Sequence, residues 1–125
     1  PFLVSSSVEG IMAQRLVRRV CEVCASTYTP DPADLPEPLR GCGPLRRGAG
    51  CRACRSTGYR GRLGVYELLH VSDGVRHLVT ERASSRAVAA RASTDGDLST
   101  LLDDGFTKVR EGRTTVEEVL SALAE

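Results

Sequence analysis

Four cysteines in two C-x-x-C pairs are the residues of this sequence best suited to chemistry. Cys21 and Cys24 form one pair, Cys51 and Cys54 form the other, and residues 25–50 separate them. A C-x-x-C turn directs two thiolates at one ion, and two such turns complete a tetrahedral set of sulfurs. Thiolates favour zinc, and four of them leave no position for a reactive water. The spacing therefore predicts a structural zinc site rather than a hydrolytic one.

Other interpretations of the cysteines stay open at this point. The pairs could form disulfides, which a cytosolic setting disfavours, or they could hold an iron–sulfur cluster. A thioredoxin-like redox role is disfavoured because no strand–helix context surrounds either pair. Cys42 makes an odd fifth cysteine within Gly41-Cys42-Gly43. We interpret it as a bystander in a glycine turn, although it could replace a missing ligand.

No other residue pattern predicts catalysis. The phosphate-binding pattern G-x-x-x-x-G-K-[ST] is absent, and the sole lysine is Lys108. His70 and His77 lack a neighbouring nucleophile and fit ordinary surface or core-edge histidines. Glu117 and Glu118 lie at a predicted helix start, where the helix dipole accounts for them. We therefore predict no catalytic residue and no nucleotide-binding residue in this chain.

The basic residues are almost all arginine, and many lie within or beside the cysteine region. The formal net charge of +1 does not by itself indicate a polyanionic partner. Phosphate contacts by these arginines would suit a nucleic-acid-binding zinc ribbon, but only Tyr28 and Tyr59 lie nearby to stack on bases. Guanidinium groups also pair with carboxylates at protein interfaces, and we rank this interpretation first. The arginine clusters are Arg15, Arg18 and Arg19, then Arg46 and Arg47, then Arg52, Arg55, Arg60 and Arg62.

The first half of the chain is predicted to be a helix followed by an irregular loop. Apolar residues recur at three- and four-residue spacing over 5–20, which predicts an amphipathic helix capped by the serines at 5–7. Residues 21–61 hold five of the six prolines and many glycines, so regular structure there must be short. The run Leu63 to Leu69 is rich in β-forming residues. We predict that it is a strand whose partner lies within the loop.

The second half is predicted to be helical. Apolar stripes indicate helices over 72–79, more weakly over 83–92, and over 98–109, with a break at Gly96 and a C-cap at Gly112. Thr114 with Glu117 fits a capping box that opens a last helix. The fold class predicted is α+β and mainly helical. A small zinc-knuckle β element would lie between an N-terminal helix and a C-terminal helical bundle.

Length and apolar content place limits on organisation and location. We expect three parts, 1–20, 21–62 and 63–125, around the metal loop. No stretch approaches the roughly 20 apolar residues that would span a bilayer, and Pro1 to Val4 is too short an apolar start for a signal peptide. These features predict a cytosolic protein. Because the sequence begins without Met, we expect it to be a piece of a longer protein.

Several short motifs in combination resemble the C-terminal part of type II secretion ATPases, and type IV pilus assembly ATPases share the pattern. Each motif is weak alone, but together they cover nearly the whole chain. The proline-rich loop with Cys42 and the stretch Ser93-Thr94-Asp95 depart from the pattern. Beside the two C-x-x-C pairs, the motifs are Pro1-Phe2-Leu3-Val4-Ser5-Ser6-Ser7, Ala13-Gln14-Arg15-Leu16-Val17-Arg18, Thr57-Gly58-Tyr59-Arg60-Gly61-Arg62, Tyr66-Glu67-Leu68-Leu69, Asp104-Gly105, Gly112-x-Thr114-Thr115 and Glu117-Glu118-Val119.

The resemblance implies a RecA-like hexameric motor in which ATP turnover drives pseudopilus or pilus extension through an inner-membrane platform protein. The motifs that bind ATP and Mg²⁺ would precede residue 1, so this segment would not itself be an enzyme. The four cysteines match the zinc site that the family carries between the ATPase core and its final helices. Residues 1–20 would end that core, with the Ala13 to Arg18 helix closing it, and residues 72–125 would form a small end domain. The implied partners are neighbouring subunits and platform and adaptor proteins, at a cytoplasmic location peripheral to the inner membrane.

Overall fold

The computed structural model describes residues 7–124. Within them lie five strands, four α-helices and two 3₁₀ turns at Pro32–Asp34 and Glu37–Leu39. None of these helices is long and apolar enough to cross a membrane. In chain order the strands and helices are β1 (Gly10–Val20), β2 (Ala25–Tyr28), β3 (Leu45–Gly48), β4 (Tyr59–His70), α1 (Asp73–Thr80), α2 (Ser85–Thr94), β5 (Leu98–Ser99), α3 (Leu101–Arg110) and α4 (Val116–Leu123).

The described strands form two separate sheets. The larger has the order β1-β4-β5, and the smaller is the pair β2-β3. By contacts, the described residues divide into two compact units, one of 7–14 with 66–100 and the other of 15–65 with 101–124. The cysteine pairs and the β2-β3 sheet belong entirely to the second unit, which is therefore the part that positions the candidate site.

The first unit is built from α1, α2 and the antiparallel pairing of β4 with β5. Its buried residues are Val71, Val75 and Ala92. Ser72 caps α1 and Ser84 caps α2, each accepting a hydrogen bond from an amide in the first turn. After α2, Gly96 adopts φ 76°, so the predicted break at this glycine is confirmed.

The second unit packs the proline-rich loop on the last two helices. β2 and β3 pair antiparallel, and the segment between them, which contains the two 3₁₀ turns, buries Leu35 and Leu39. The same cluster contains Phe106 and Val109 of α3 and Val119 of α4. At the end of α3, Gly112 adopts φ 76°, with Arg113 N donating to Lys108 O at 3.0 Å. This arrangement confirms the predicted C-cap.

The prediction of a helix over 5–20 is wrong, because residues 10–20 form β1. Part of the predicted serine cap lies outside the described residues. In β1 the buried side chains are Val17 and Val20, whereas Ile11, Met12 and Leu16 are each more than half exposed. Pairing with the long strand β4 satisfies the backbone of β1 and overrides the helical spacing of the apolar residues.

Two further differences follow from pairings that are distant in sequence. β4 has β1 and β5 as neighbours, so its predicted partner within the loop is wrong; the loop strands pair with each other. The description as mainly helical is also wrong, since strands hold nearly as many residues as helices. The α+β class and the small β element at the cysteine pairs are correct.

The start of α4 is shifted by one residue from the predicted capping box. Two threonines precede two glutamates, so the sequence allows either register. Thr114 is fully buried and donates its hydroxyl hydrogen to Arg18 O at 2.8 Å. Thr115 is therefore the cap, and its Oγ1 accepts from Glu118 N at 3.2 Å.

Candidate metal centre

The two C-x-x-C turns bring their four sulfurs together. The ligand atoms of Cys21, Cys24, Cys51 and Cys54 all lie within 4.8 Å of one another. The Sγ–Sγ distances are 3.7 Å between Cys21 and Cys51, 3.8 Å between Cys24 and Cys54, and 3.6 Å between Cys51 and Cys54. A tetrahedral zinc with Zn–S bonds of about 2.3 Å requires sulfurs about 3.8 Å apart. The donor set therefore fits one four-coordinate ion.

The same distances decide against the disulfide alternative. A disulfide requires two sulfurs about 2.05 Å apart, and all five cysteines of the chain are free. Cys42 is not part of the sulfur cluster. Its Sγ lies 3.7 Å from Gly43 O and its side chain packs against the core of the second unit. This environment agrees with the interpretation of Cys42 as a bystander.

Backbone amides of the two turns donate to the sulfurs. Gly50 N donates to Cys24 Sγ at 3.3 Å, and Cys51 N and Gly58 N each donate to Cys54 Sγ at 3.2 Å. Amide donors stabilise the negative charge of a thiolate and fix its direction. The turns thus provide the second layer of contacts that metal-binding thiolates require.

These amides also perturb the pKa values of the thiols. Burial acts to raise the pKa of Cys54, but the amides of Gly58 and Cys51 outweigh it and lower the pKa to about 6. A backbone hydrogen bond from Cys24 lowers the pKa of Cys21. Burial raises the pKa of Cys24 to about 11. The protein's own donors therefore favour the metal-binding thiolate form at Cys54 and Cys21.

Gly48 and Gly58 allow the end of β3 and the second C-x-x-C turn to approach closely. A Cβ on Gly48 would lie 2.2 Å from Gly58 O, and one on Gly58 would lie 2.5 Å from Gly48 O. Gly58 also has φ 82° and accepts a hydrogen bond from Cys21 N at 2.9 Å. Any side chain at these positions would push the end of β3 away from the turn that carries Cys54.

The side chains of Arg18 and Tyr59 link this site to α4. The Arg18 guanidinium lies 4.2 Å from the centroid of the Tyr59 ring and pairs with Glu118 at 3.0 Å. The hydroxyls of Tyr59 and Thr115 lie 2.8 Å apart. Because Tyr59 directly follows Gly58, these contacts hold the second C-x-x-C turn against the start of α4.

Arg46 makes a second link, between the first C-x-x-C turn and the end of α3. Its guanidinium donates to both carboxylate oxygens of Glu22, at 3.3 and 2.9 Å, and to Gly112 O at 3.1 Å. Sequence reasoning did not identify Arg18, Arg46 or Tyr59 as positioning residues. The one signal available was that Tyr59 directly follows the glycine after the second turn.

The remaining candidates from the sequence do not assemble into a site. His70 Nδ1 lies 3.2 Å from Asp97 Oδ1, and His77 Nε2 lies 3.1 Å from Glu81 Oε1. Both histidine side chains are about two-thirds exposed. Among the described residues, the four cysteines are the cluster of metal-ligating groups that the fold brings together.

Comparisons with known proteins identify the family of this chain. Residues 1–121 match the family described as Type II/IV secretion system protein. Over its full length the chain is 44% identical to Type II secretion system protein E of Pseudomonas aeruginosa, covering 25% of that protein. It is 40% identical to Type IV pilus assembly ATPase PilB of Thermus thermophilus, again over its full length, covering 14% of that protein.

A further relative is Type II secretion system ATPase E of Vibrio cholerae, 40% identical over the full chain and 25% of that protein. The chain thus spans a quarter or less of the length of these relatives. The resemblance expected from the motifs is confirmed. The chain belongs to the type II/IV secretion system protein family.

Proposed function

We propose that the chain is the zinc-binding module of a hexameric ATPase that powers type II protein secretion. The observation that carries this proposal is a four-sulfur cluster with tetrahedral spacing in a chain of the secretion family. The chain has no phosphate-binding motif. ATP and Mg²⁺ are therefore assigned to the remainder of such a protein, and this module is not an enzyme by itself.

In this proposal the metal substitutes for a hydrophobic core at the cysteine turns. β2 and β3 have four residues each, and none of the four cysteines belongs to a hydrophobic cluster of the described residues. A two-stranded hairpin of this size is at best marginally stable in water. Metal binding and folding share one free energy in such sites, so zinc held by the four cysteines orders the turns and the hairpin between them.

The module would act through contacts rather than through chemistry. In the parent, residues 1–20 would end the ATPase core, 21–62 would form the zinc-binding part, and 63–125 would form the strand and helices that follow. The proposed partners are neighbouring subunits and the platform and adaptor proteins of the inner membrane, on its cytoplasmic side. Similarity to the Thermus thermophilus pilus ATPase favours type IV pilus assembly as a second candidate.

The test uses the full-length protein that contains this segment, in a strain that depends on it for secretion. We expect Cys51→Ser to abolish secretion while the KM for ATP stays unchanged, because the metal site is remote from the nucleotide in this proposal. Cys42→Ser is the matched control and should secrete normally. Normal secretion by Cys51→Ser would refute the proposed function, as would ATP hydrolysis by the isolated module.

A further inference from the structure

The segment around the second C-x-x-C turn carries a strong local excess of positive charge. Residues 38–66 contain seven arginines and no aspartate or glutamate, although the whole chain is nearly neutral. Such a one-sided distribution creates a local positive potential that attracts anionic groups. The seven are Arg40, Arg46, Arg47, Arg52, Arg55, Arg60 and Arg62.

Three of these arginines have structural contacts within the chain. Arg40 donates to a backbone carbonyl, Arg46 pairs with Glu22, and Arg47 covers the ring of Tyr28. The other four are exposed, and none of their side chains has an ion pair or hydrogen bond within residues 7–124. We call these four the knuckle arginines: Arg52, Arg55, Arg60 and Arg62.

The backbone that carries Arg52 and Arg55 is held in place by the cysteine turn, whereas Arg60 and Arg62 lie on β4. Ser56 N donates to Cys51 O at 2.8 Å, and Thr57 Oγ1 lies 2.7 Å from Cys54 O. Arg55 and Ser56 have φ of 56° and 62°, a left-handed conformation that these residues adopt only when their surroundings impose it. A rigid backbone lowers the entropic cost of binding through these side chains.

We propose that the knuckle arginines bind an acidic segment of a partner protein, with the partner's carboxylates paired to their guanidinium groups. A guanidinium donates two parallel hydrogen bonds to one carboxylate, which gives direction as well as attraction. The proposal rests on the proposed function in so far as the partner belongs to the secretion machinery. Binding of an acidic peptide by this surface does not depend on that assignment.

The structure favours a protein over a nucleic acid as the partner. Binding of single-stranded nucleic acid relies on aromatic rings that stack on bases. Arg47 lies 4.2 Å from the ring centroid of Tyr28, and Arg18 lies at the same distance from that of Tyr59. These two tyrosine rings are therefore already covered on one face, and the Tyr59 hydroxyl contacts Thr115.

The structure also favours a protein over a membrane surface. Peripheral membrane binding combines basic residues with a broad apolar or aromatic face that enters the headgroup region. Among residues 21–62, Val23 is the one exposed large hydrophobic side chain. It lies between the two ligands of the first turn and is 67% exposed, which suits a small apolar contact beside charged pairs.

The experiment measures binding of a fluorescent octapeptide of alternating Glu and Asp to the zinc-loaded protein at 50 mM salt. The double variant Arg52→Gln/Arg55→Gln should bind about tenfold more weakly than wild type, because two charged hydrogen-bonding groups are lost. Arg82→Gln/Arg86→Gln is the matched control, since it removes the same charge from exposed positions in the other unit. The control should bind within about twofold of wild type, because Arg82 and Arg86 are not among the proposed binding residues. Zinc content and circular dichroism verify that both variants fold.

Equal losses in the two double variants would overturn the proposal, because binding would then follow net charge alone. Tighter binding to a single-stranded oligonucleotide or to phosphatidylglycerol vesicles than to the peptide would overturn it as well. The outcome of this binding experiment is independent of whether the proposed function is correct. Peptide binding through Arg52 and Arg55, together with normal secretion by the Cys51→Ser parent, would leave the surface established and refute only the secretion role.

Discussion

Replacing Glu118 with Gln removes the charge from a carboxylate that joins α4 to β1. Glu118 Oε1 accepts from Arg18 N at 2.9 Å and from Arg18 Nε at 3.1 Å, and Oε2 accepts from Nη2 at 3.0 Å. The Glu118 side chain is 13% exposed, whereas that of Arg18 is 53% exposed. The carboxylate is thus largely withdrawn from water and depends on Arg18 for its hydrogen bonds.

The expected loss of stability on Glu118→Gln follows from these contacts. Hydrogen bonds to a charged group contribute about 1.5–3 kcal/mol, but an ion pair with a half-exposed partner contributes only about 0–1 kcal/mol. The Gln amide oxygen retains the bond from Arg18 N. We therefore expect Glu118→Gln to lower the free energy of unfolding by about 1–2 kcal/mol. Glu117→Gln is the matched control and should change it by less than about 0.5 kcal/mol, because Glu117 is exposed.

The assay is urea denaturation of the zinc-loaded proteins at pH 7 and at lower pH. Burial acts to raise the pKa of Glu118, but the guanidinium and amide of Arg18 outweigh it and hold the pKa below its ordinary value of 4.5. The stabilising contribution is therefore complete above pH 4.5 and is lost as the pH falls through the folded-state pKa. The difference between wild type and Glu118→Gln should narrow over that range. Equal unfolding free energies for the Glu118 and Glu117 variants at pH 7 would refute this reasoning.

Two further substitutions test the contacts that hold the second C-x-x-C turn in place. Gly58→Ala should weaken zinc binding about tenfold or more in a chelator competition, since the φ of 82° and a Cβ 2.5 Å from Gly48 O both oppose a side chain. Gly61→Ala is the control, with a similar φ of 78° but no atom within 4 Å of the new Cβ, and equal affinities for the two variants would contradict the close-approach argument. Thr115→Ala should lower the free energy of unfolding by about 1–2 kcal/mol through loss of the helix cap and the Tyr59 contact. Thr115→Ser should restore most of it in the same denaturation assay, and a loss below about 0.5 kcal/mol on Thr115→Ala would count against the cap.

Features that depend on near neighbours were predictable from the sequence. The two C-x-x-C turns place sulfurs within a few residues of one another, so their spacing alone indicates a metal site. Gly96 and Gly112 end helices because each adopts a left-handed conformation that favours glycine. The helices after residue 72 were recognised from their apolar stripes, and Ser72 and Ser84 cap the first two of them.

Features that depend on distant pairings were not predictable in the same way. Ile11, Met12 and Leu16 have helical spacing, yet β1 is a strand because it pairs with β4, which begins about 40 residues after β1 ends. Gly10, a poor helix residue, was the local signal against a helix. The register of the α4 cap was decided by the burial of Thr114 against Arg18, a contact across 96 residues. No local pattern encodes either pairing.

The proposed module depends most directly on whether the four sulfurs hold one metal ion. The decisive measurement is elemental analysis of the purified protein, combined with hydrogen exchange of the β2 and β3 amides. We predict about one zinc per chain, and loss of both zinc and amide protection on Cys51→Ser, because the metal orders the hairpin. Protein that contains no bound metal and still protects the β2 and β3 amides would contradict the account.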